Sequence, residues 1–506
     1  MGSARIHELF DRWLTRSPDR VFLHLPAASD GAATMTYAQL NGIARALERE
    51  LGADGVRAGD RVMAVAENCP EHIALILACS RIGAWSCGVN ARMAPGEVDG
   101  FAAKADARVC YFTSGVSKHA AAHAGRFDAA PSRVPSLSRS PVRGEAIAES
   151  GPLAERVAAI IFTSGTSGDP KGVMMTHEGV THFGRVSAES RLLGEDDRSY
   201  AYLPMTHIFG LGTVLVASLH AGATLLMRAA FDPAVALDDL AHRGVTQLQG
   251  PPALFARLLG HMESRGIARP DAPQLRYVYA GAAPLDMPLK KRVEAAFRLP
   301  LNHGYGLSEY AGSLYVTRRD EWREDTSCGY AVEGAEVRIV DPATGQEVPS
   351  GQRGEIRLRG VGLMPGYFRD AAATDAVMRD GWYMTGDIGE MSADGALFVV
   401  GRLKEMIIRS GFNVYPAEIE AALNGFVGIE RSAVVGRPAG DGNEDIVAYV
   451  QLATGATLDE AALRAHLAQR LAPYKQPAAI VVLDVLPMTA NGKVLKRELQ
   501  RTSAVR

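Results

Sequence analysis

The sequence predicts an α/β protein in two parts. A large N-terminal domain of layered sheets and helices, residues 1–402, carries a β subdomain over 334–400, and a small α+β C-terminal domain spans 403–506. Three observations carry that reading. Strand and helix patterns alternate along the first part, as α/β layers require. Residues 334–400 change to short strands separated by Gly, Pro and Asp. Beyond Leu403 comes a compact series of strands around one helix. At 506 residues the chain is also too long for a single core.

In order, the N-terminal MGSARIHELFDRWL reads as the start of an amphipathic helix and has no apolar signal core. Thr36-Tyr-Ala-Gln39 fits a capping box, followed by Leu40, Ile43, Leu47 and Leu51 at helical spacing. A strand over 61–66 precedes a buried helix over 71–82. Residues 113–155, rich in Ala, Ser, Pro and Arg, show little apolar periodicity and read as a surface excursion or poorly ordered loop. Strands are expected at 160–162, 173–175, 221–227, 245–250 and 276–280, then at 336–340, 355–358 and 397–400 in the β subdomain. The last part offers strands at 433–435, 446–452 and 480–483. A helix over 458–471 is opened by the box Thr457-Leu-Asp-Glu460 and carries Leu463, Leu467 and Leu471 on one face.

Apolar content of 47% and charged content of 22% are those of an ordinary soluble protein. Fifty-four Lys and Arg against 57 Asp and Glu give −3, so no basic field points to nucleic acid. No apolar run approaches a membrane span. The 5 cysteines (Cys69, Cys79, Cys87, Cys110, Cys328) lack metal-ligand spacing and read as reduced structural thiols in a cytoplasmic protein.

Chemistry concentrates in residues 160–177, IIFTSGTSGDPKGVMMTH. Between two apolar runs lie Gly165, Gly168 and Gly172, the hydroxyls of Thr163, Ser164, Thr166 and Ser167, then Pro170 and Lys171. Glycines free backbone N–H groups to turn inward, hydroxyls add donors, and lysine adds mobile positive charge, which suits a polyphosphate. A flexible Gly/Ser turn with a solvated lysine is the plainer alternative. It is not a Walker loop, because Lys171 runs into Gly172 and an apolar strand instead of opening a helix.

Further on, His207 sits in the apolar run AYLPMTHIFG and by itself reads as a core histidine. Gly281, Ala282 and Ala283 follow a strand and either admit a flat ligand or make a tight turn. In His303-Gly304-Tyr305-Gly306-Leu307-Ser308-Glu309 a tyrosine face, a hydroxyl and a carboxylate come together and suit a base, a phosphate oxygen and Mg²⁺. Asp387 ends GWYMTGD at a strand end, either as a ribose acceptor or as a solvated turn aspartate. The stretches 401–413 and 487–497 place Arg402, Lys404, Ser410, Gly411, Asn413 and Lys493 in the last part.

Five ordered landmarks, 163–172, 303–309, 381–387, 401–413 and 491–493, together resemble the adenylate-forming superfamily, and within it the acyl- and aryl-CoA synthetases, over nearly the whole chain. The resemblance implies a mobile C-terminal domain and a two-step ligase. ATP and a carboxylic acid give an acyl-adenylate and pyrophosphate, and coenzyme A then displaces AMP. It implies that Thr163 to Lys171 wrap the β- and γ-phosphates, and that Glu309 holds Mg²⁺ beside Ser308. Gly281 to Ala283 and His303 to Gly306 would border the nucleotide, and Asp387 with Arg402 would grip the ribose. Lys493 would bridge carboxylate and α-phosphate, with Lys404 as hinge, Ser410 and Gly411 beside the CoA channel, and Asn413 reaching AMP after rotation. In that context His207 becomes a gate between acid and nucleotide. The acid pocket would be lined by His207, Phe209, Gly281, Ala282, Gly306, Leu307, Ala311 and Gly312, apolar or small, which favours a medium-chain or aromatic acid. Arg228 reads as a solvated strand-end arginine, with recognition of a second carboxylate as the alternative. A monomer or homodimer is expected. Two other readings stand beside this one: an adenylating enzyme that loads an acyl-carrier protein, and a catalytically silent nucleotide-binding homologue.

Overall fold

The computed structural model describes the chain except residues 1–3, 27–32, 164–169, 410–411, 441–442, 489–493 and 504–506. Two large sheets organise the first 330 or so residues. In the nine-stranded sheet, Thr224–Met227, Arg198–Ala201, Gln247–Gly250, Tyr277–Ala280 and Leu301–Leu307 run parallel in that spatial order, and Gly312–Val316 closes one side antiparallel. The seven-stranded sheet has Arg61–Ala66, Trp85–Asn90 and Val157–Thr163 side by side, with Lys171–Thr176 antiparallel at its edge. Parallel strands with helices between them bury both faces, and ligands gather beyond their carboxyl ends.

The helices follow from local sequence. Thr36 caps Tyr37–Ala53 by accepting from Gln39 N at 3.2 Å, while the Gln39 side chain accepts from Thr36 N at 2.8 Å, as the capping box requires. Pro70–Ile82 is apolar all round, opens on a proline and ends at Gly83 with φ 84°, and it lies buried with His72 inside it.

Residues 113–155 correct the sequence expectation. They contain the helix Lys118–Arg126 and the short edge strands Ala130–Pro131 and Ser138–Arg139 of the seven-stranded sheet. Glu50, 3% exposed, accepts Ser132 Oγ at 2.6 Å, Tyr111 Oη at 3.2 Å and Arg133 N at 3.0 Å, which ties the segment to the core.

The β subdomain is a five-stranded antiparallel sheet built around Arg353–Gly360 and Trp382–Met391. From Ile407 onward the hydrophobic cores draw on their own residues. Val434, Ile446, Ala448 and Val450 pack with Ile419, Leu463 and Leu467 on one face, and Ala433, Val435, Val447 and Tyr449 pack with Leu486 and Leu499 on the other. The helix expected at 458–471 is shorter, Glu460–Ala468. Its cap is Asp459, which accepts from Ala462 N at 2.9 Å, and not Thr457. Across the joint Arg353 pairs with Glu418 and lies 5.4 Å from the Tyr415 ring centroid. Lys496 is held by Glu405 at 3.0 Å and Glu420 at 2.8 Å. Among the described residues no helix is long and apolar enough to cross a membrane.

Candidate active site

Val157–Thr163 and Lys171–Thr176 form a hairpin with Thr163 opposite Lys171. The assignments to Ser164, Gly165, Thr166, Ser167 and Gly168 lie outside the described residues. Lys171 emerges beside Tyr367, its Nζ 4.7 Å from the ring centroid. Tyr367 is fixed there by backbone: Phe368 N donates to Gly172 O at 2.7 Å, and Met174 N to Gly366 O at 3.2 Å.

Glu309 stands in the short turn Ser308–Tyr310 just beyond Leu301–Leu307. Its carbonyl accepts Met364 N at 2.8 Å, and its Oε1 accepts Tyr367 Oη at 3.0 Å. Lysine, tyrosine and glutamate are thereby joined into one cluster, with the Tyr383 hydroxyl 3.4 Å from that of Tyr367. Burial first, and the Glu309 charge next, raise the Tyr367 phenol well above its ordinary pKa, so it stays a donor.

A second cluster is set by strand register, because Asp387 pairs directly with Arg402. Arg402 Nε lies 2.9 Å from Asp387 Oδ1, and Tyr305 Oη donates to Oδ2 at 2.6 Å. Burial opposes the Arg402 charge, yet Asp387, Glu405 and Glu309 outweigh it and raise its pKa. Both carboxylate oxygens hold a protein donor and keep lone pairs for further ones.

The region around Phe209 and Tyr279 is close-packed. Phe209 meets Tyr279 edge-on at 5.9 Å. A Cβ at Gly304 would stand 2.4 Å from Tyr279 Oη, so only glycine lets this strand pass. Gly312 has φ 142° and abuts the Phe183 ring, where a Cβ would meet it at 2.3 Å. Gly306 and Leu307 end the strand Leu301–Leu307, and Ala282 and Ala311 hold positive φ of 66° and 54°. His207 Nδ1 accepts Phe209 N at 3.2 Å, which leaves the proton on Nε2, and burial lowers its pKa to about 4. Its ring is neutral at pH 7.

A family model described as AMP-binding enzyme matches residues 10–368, and the AMP-binding enzyme C-terminal domain matches 418–493. The chain belongs to the AMP-binding enzyme family. It lies in the adenylate-forming superfamily of acid–CoA ligases. It is 35% identical to a feruloyl-CoA synthase of Amycolatopsis over 95% of this chain and 96% of that one. It is 33% identical to an indoleacetate–CoA ligase of Aromatoleum aromaticum over 99% and 98%. A crystal structure of ATP-bound MatB from Rhodopseudomonas palustris superposes with a TM-score of 0.86 at 29% identity, covering 99% of each chain.

Several members of the expected set stand elsewhere in this AMP-binding enzyme. Lys493, Ser410 and Gly411 lie outside the described residues. Lys404 is exposed in the turn Leu403–Glu405, and Asn413 is exposed in the hairpin strand Phe412–Val414. His303 is corrected from a nucleotide contact to a backbone support. It is buried, its Nδ1 lies 3.2 Å from Thr326 O and 3.3 Å from Ser327 O, and the Ala283 backbone also bonds the ring. Arg228 is neither solvated nor open to a ligand, since Asp239 holds its Nε at 2.8 Å and its Nη2 at 2.5 Å. Sequence reasoning missed Tyr367, Tyr383 and Phe183. For Tyr367 the available signal was its position after Gly366, whose φ of 148° marks a special turn.

Among the described residues no group of three or more His, Cys, Asp and Glu is arranged to hold a metal by itself. A lone carboxylate such as Glu309 suits Mg²⁺, which binds through one or two carboxylates with substrate phosphates and water.

Proposed function

We propose that this acid–thiol ligase activates an aromatic carboxylic acid with ATP and passes it to coenzyme A, and that the residues named above divide the work. The observation that supports it most is the junction of Lys171, Tyr367 and Glu309 on one side and Tyr305, Asp387 and Arg402 on the other, beside an aromatic-walled recess. In the first step a carboxylate oxygen attacks the α-phosphorus and the bond to pyrophosphate breaks. In the second the CoA sulfur attacks the acyl carbon, the acyl–oxygen bond breaks, AMP leaves and the thiol proton goes to solvent.

Two anions must meet in the first step, so the chain has to gather positive charge where charge develops. Lys171 and the 163–171 loop receive the β- and γ-phosphates, and Lys493 faces the α-phosphate. Bound Mg²⁺ would supply charge neutralisation at the phosphates, with Glu309 as its protein ligand. Asp387 accepts from the ribose hydroxyls and is held in place by Arg402 and Tyr305. His207, neutral and protonated at Nε2, separates acid from nucleotide without adding a charge that would hold the carboxylate back. Phe183, Phe209 and Tyr279 give the recess flat walls suited to a ring. Residues 403–506 act as the mobile part about Lys404, Ser410 and Gly411 flank the CoA arm, and Asn413 reaches AMP after rotation.

The test is incubation with ATP, Mg²⁺, CoA and a panel of aromatic and aliphatic acids, with AMP and thioesters read by mass spectrometry. Aryl-CoA formed with equimolar AMP is the expected result. Release of ADP, or no acid-dependent AMP with any acid, contradicts the proposal.

A further inference from the structure

The strand Gln247–Gly250 lies inside the nine-stranded sheet and turns Gln247 and Gln249 to one face, with Tyr277 and Tyr279 as their register partners. Gln249 is fully buried, and among the described residues neither its Oε1 nor its Nε2 has a hydrogen-bond partner. Arg191, which ends the helix His177–Ser190, is 1% exposed. Its Nη2 donates to Thr213 O at 2.5 Å, but Nε and Nη1 have no partner among the described residues. The nearby carboxylate, Asp197, is committed to Arg276, to Thr246 Oγ1 at 2.6 Å and to Gly194 N at 2.8 Å. Burial lowers the Arg191 pKa to about 10, so the guanidinium is still charged at neutral pH.

A buried charge without a counter-group, next to a buried amide with nothing to bind, is strongly unfavourable unless something completes it. Arg191 and Gln249 line one pocket with Phe183, Thr213, Tyr279 and Ser313. That pocket adjoins Gly281, Gly304 and Gly312, because the Phe183 ring abuts Gly312 and the Tyr279 ring abuts Gly281 and Gly304.

We propose that this pocket receives the far end of the acid, and that Arg191 with Gln249 selects acids bearing a hydrogen-bond-accepting oxygen there. The proposal rests on the ligase reading above and narrows it. Arg191 donates through Nε and Nη1. The Gln249 amide either gives an N–H to that oxygen or takes the proton of a phenol. An acid ending in a methyl group leaves all of these groups unpaired, and sites built for hydrogen bonds reject such analogues strongly.

The experiment measures kcat/KM for thioester formation with cinnamates carrying 4-hydroxyl, 4-carboxylate or 4-methyl groups, in the wild type and in Arg191→Met, Arg191→Lys and Gln249→Leu. The hydroxyl and methyl acids have nearly equal volume, so their ratio reads the hydrogen bond. The wild type is expected to prefer an oxygen-bearing acid by on the order of 10²-fold. Arg191→Met is expected to cut that preference at least about tenfold with KM for ATP unchanged, and Arg191→Lys to restore part of it. Preference for the carboxylate assigns an anionic tail, and preference for the hydroxyl assigns a neutral oxygen; each supports the proposal. Equal use of the methyl acid by the wild type overturns it, as does an unchanged ratio in both Arg191→Met and Gln249→Leu while all acids decline together. Absence of AMP with every acid overturns the ligase reading itself, a distinguishable failure.

Discussion

The phosphate-side clusters and the Arg191 pocket differ in how their polar groups are satisfied. Lys171, Glu309, Asp387 and Arg402 each have a protein contact that fixes direction before any ligand arrives. Arg191 and Gln249 keep donors and an acceptor free, among the described residues, where both side chains are buried. Preorganised groups suit the part of the reaction that is the same for every acid, since they need no rearrangement as charge develops. Unpaired groups suit the part that varies, because discrimination comes from what is left unsatisfied when the wrong acid binds.

The largest effects are expected on the prepared side. Lys493→Ala should abolish acid-dependent pyrophosphate release while still converting a supplied acyl-adenylate to thioester, and equal loss of both half-reactions would break the division between steps. Asp387→Ala and Glu309→Gln should each lower kcat/KM by roughly 10²–10³ with all acids alike. Tyr367→Phe keeps the ring under Lys171 but removes the hydrogen bond to Glu309, and about a tenfold loss in kcat is expected.

Stability sharpens the same contrast. Removing a paired group strands its partner, so Asp387→Ala should lower the melting temperature by leaving Arg402 uncompensated. Arg191→Met removes a charge that has no partner in the free protein and should raise the melting temperature by about 1–3 °C in the absence of substrate.

A further effect is expected on acid tolerance. His72 is 2% exposed, and burial lowers its pKa to about 4 from 6.5. Below pH 6.5 the unfolded chain takes up this proton and the folded chain does not, so stability falls as pH drops toward 4, by about 3 kcal/mol at pH 4 for this group. His72→Gln should flatten the thermal-melt profile between pH 6.5 and 4, and an unchanged slope would assign the acid sensitivity elsewhere.

Much of this was legible in the sequence because it is local. The glycine-rich turn between two strands, the Thr36 cap and the strand that ends at Ala280 follow from short-range pattern and turn chemistry, while the pairing of Asp387 with Arg402 was implied only by the family resemblance. Other features depend on packing that no local pattern carries. The helix Lys118–Arg126 buries Ala120, His123 and Ala124, a face without the large apolar side chains that mark a core helix. The strands beside it are two residues each. Thr457 and Asp459 both suit a cap, and only the path of the chain decides between them. Nothing local in the sequence singles out Arg191, which the fold brings into one pocket with Gln249, and Arg228 reads as solvated until Asp239 closes on it.

The most direct test of the division between prepared and unpaired groups is acid-dependent ATP–pyrophosphate exchange, measured across the three 4-substituted cinnamates in the wild type, Glu309→Gln and Arg191→Met. The expected result is a uniform loss in Glu309→Gln and a change of ranking among acids in Arg191→Met. A changed ranking in Glu309→Gln together with a uniform loss in Arg191→Met would contradict the account.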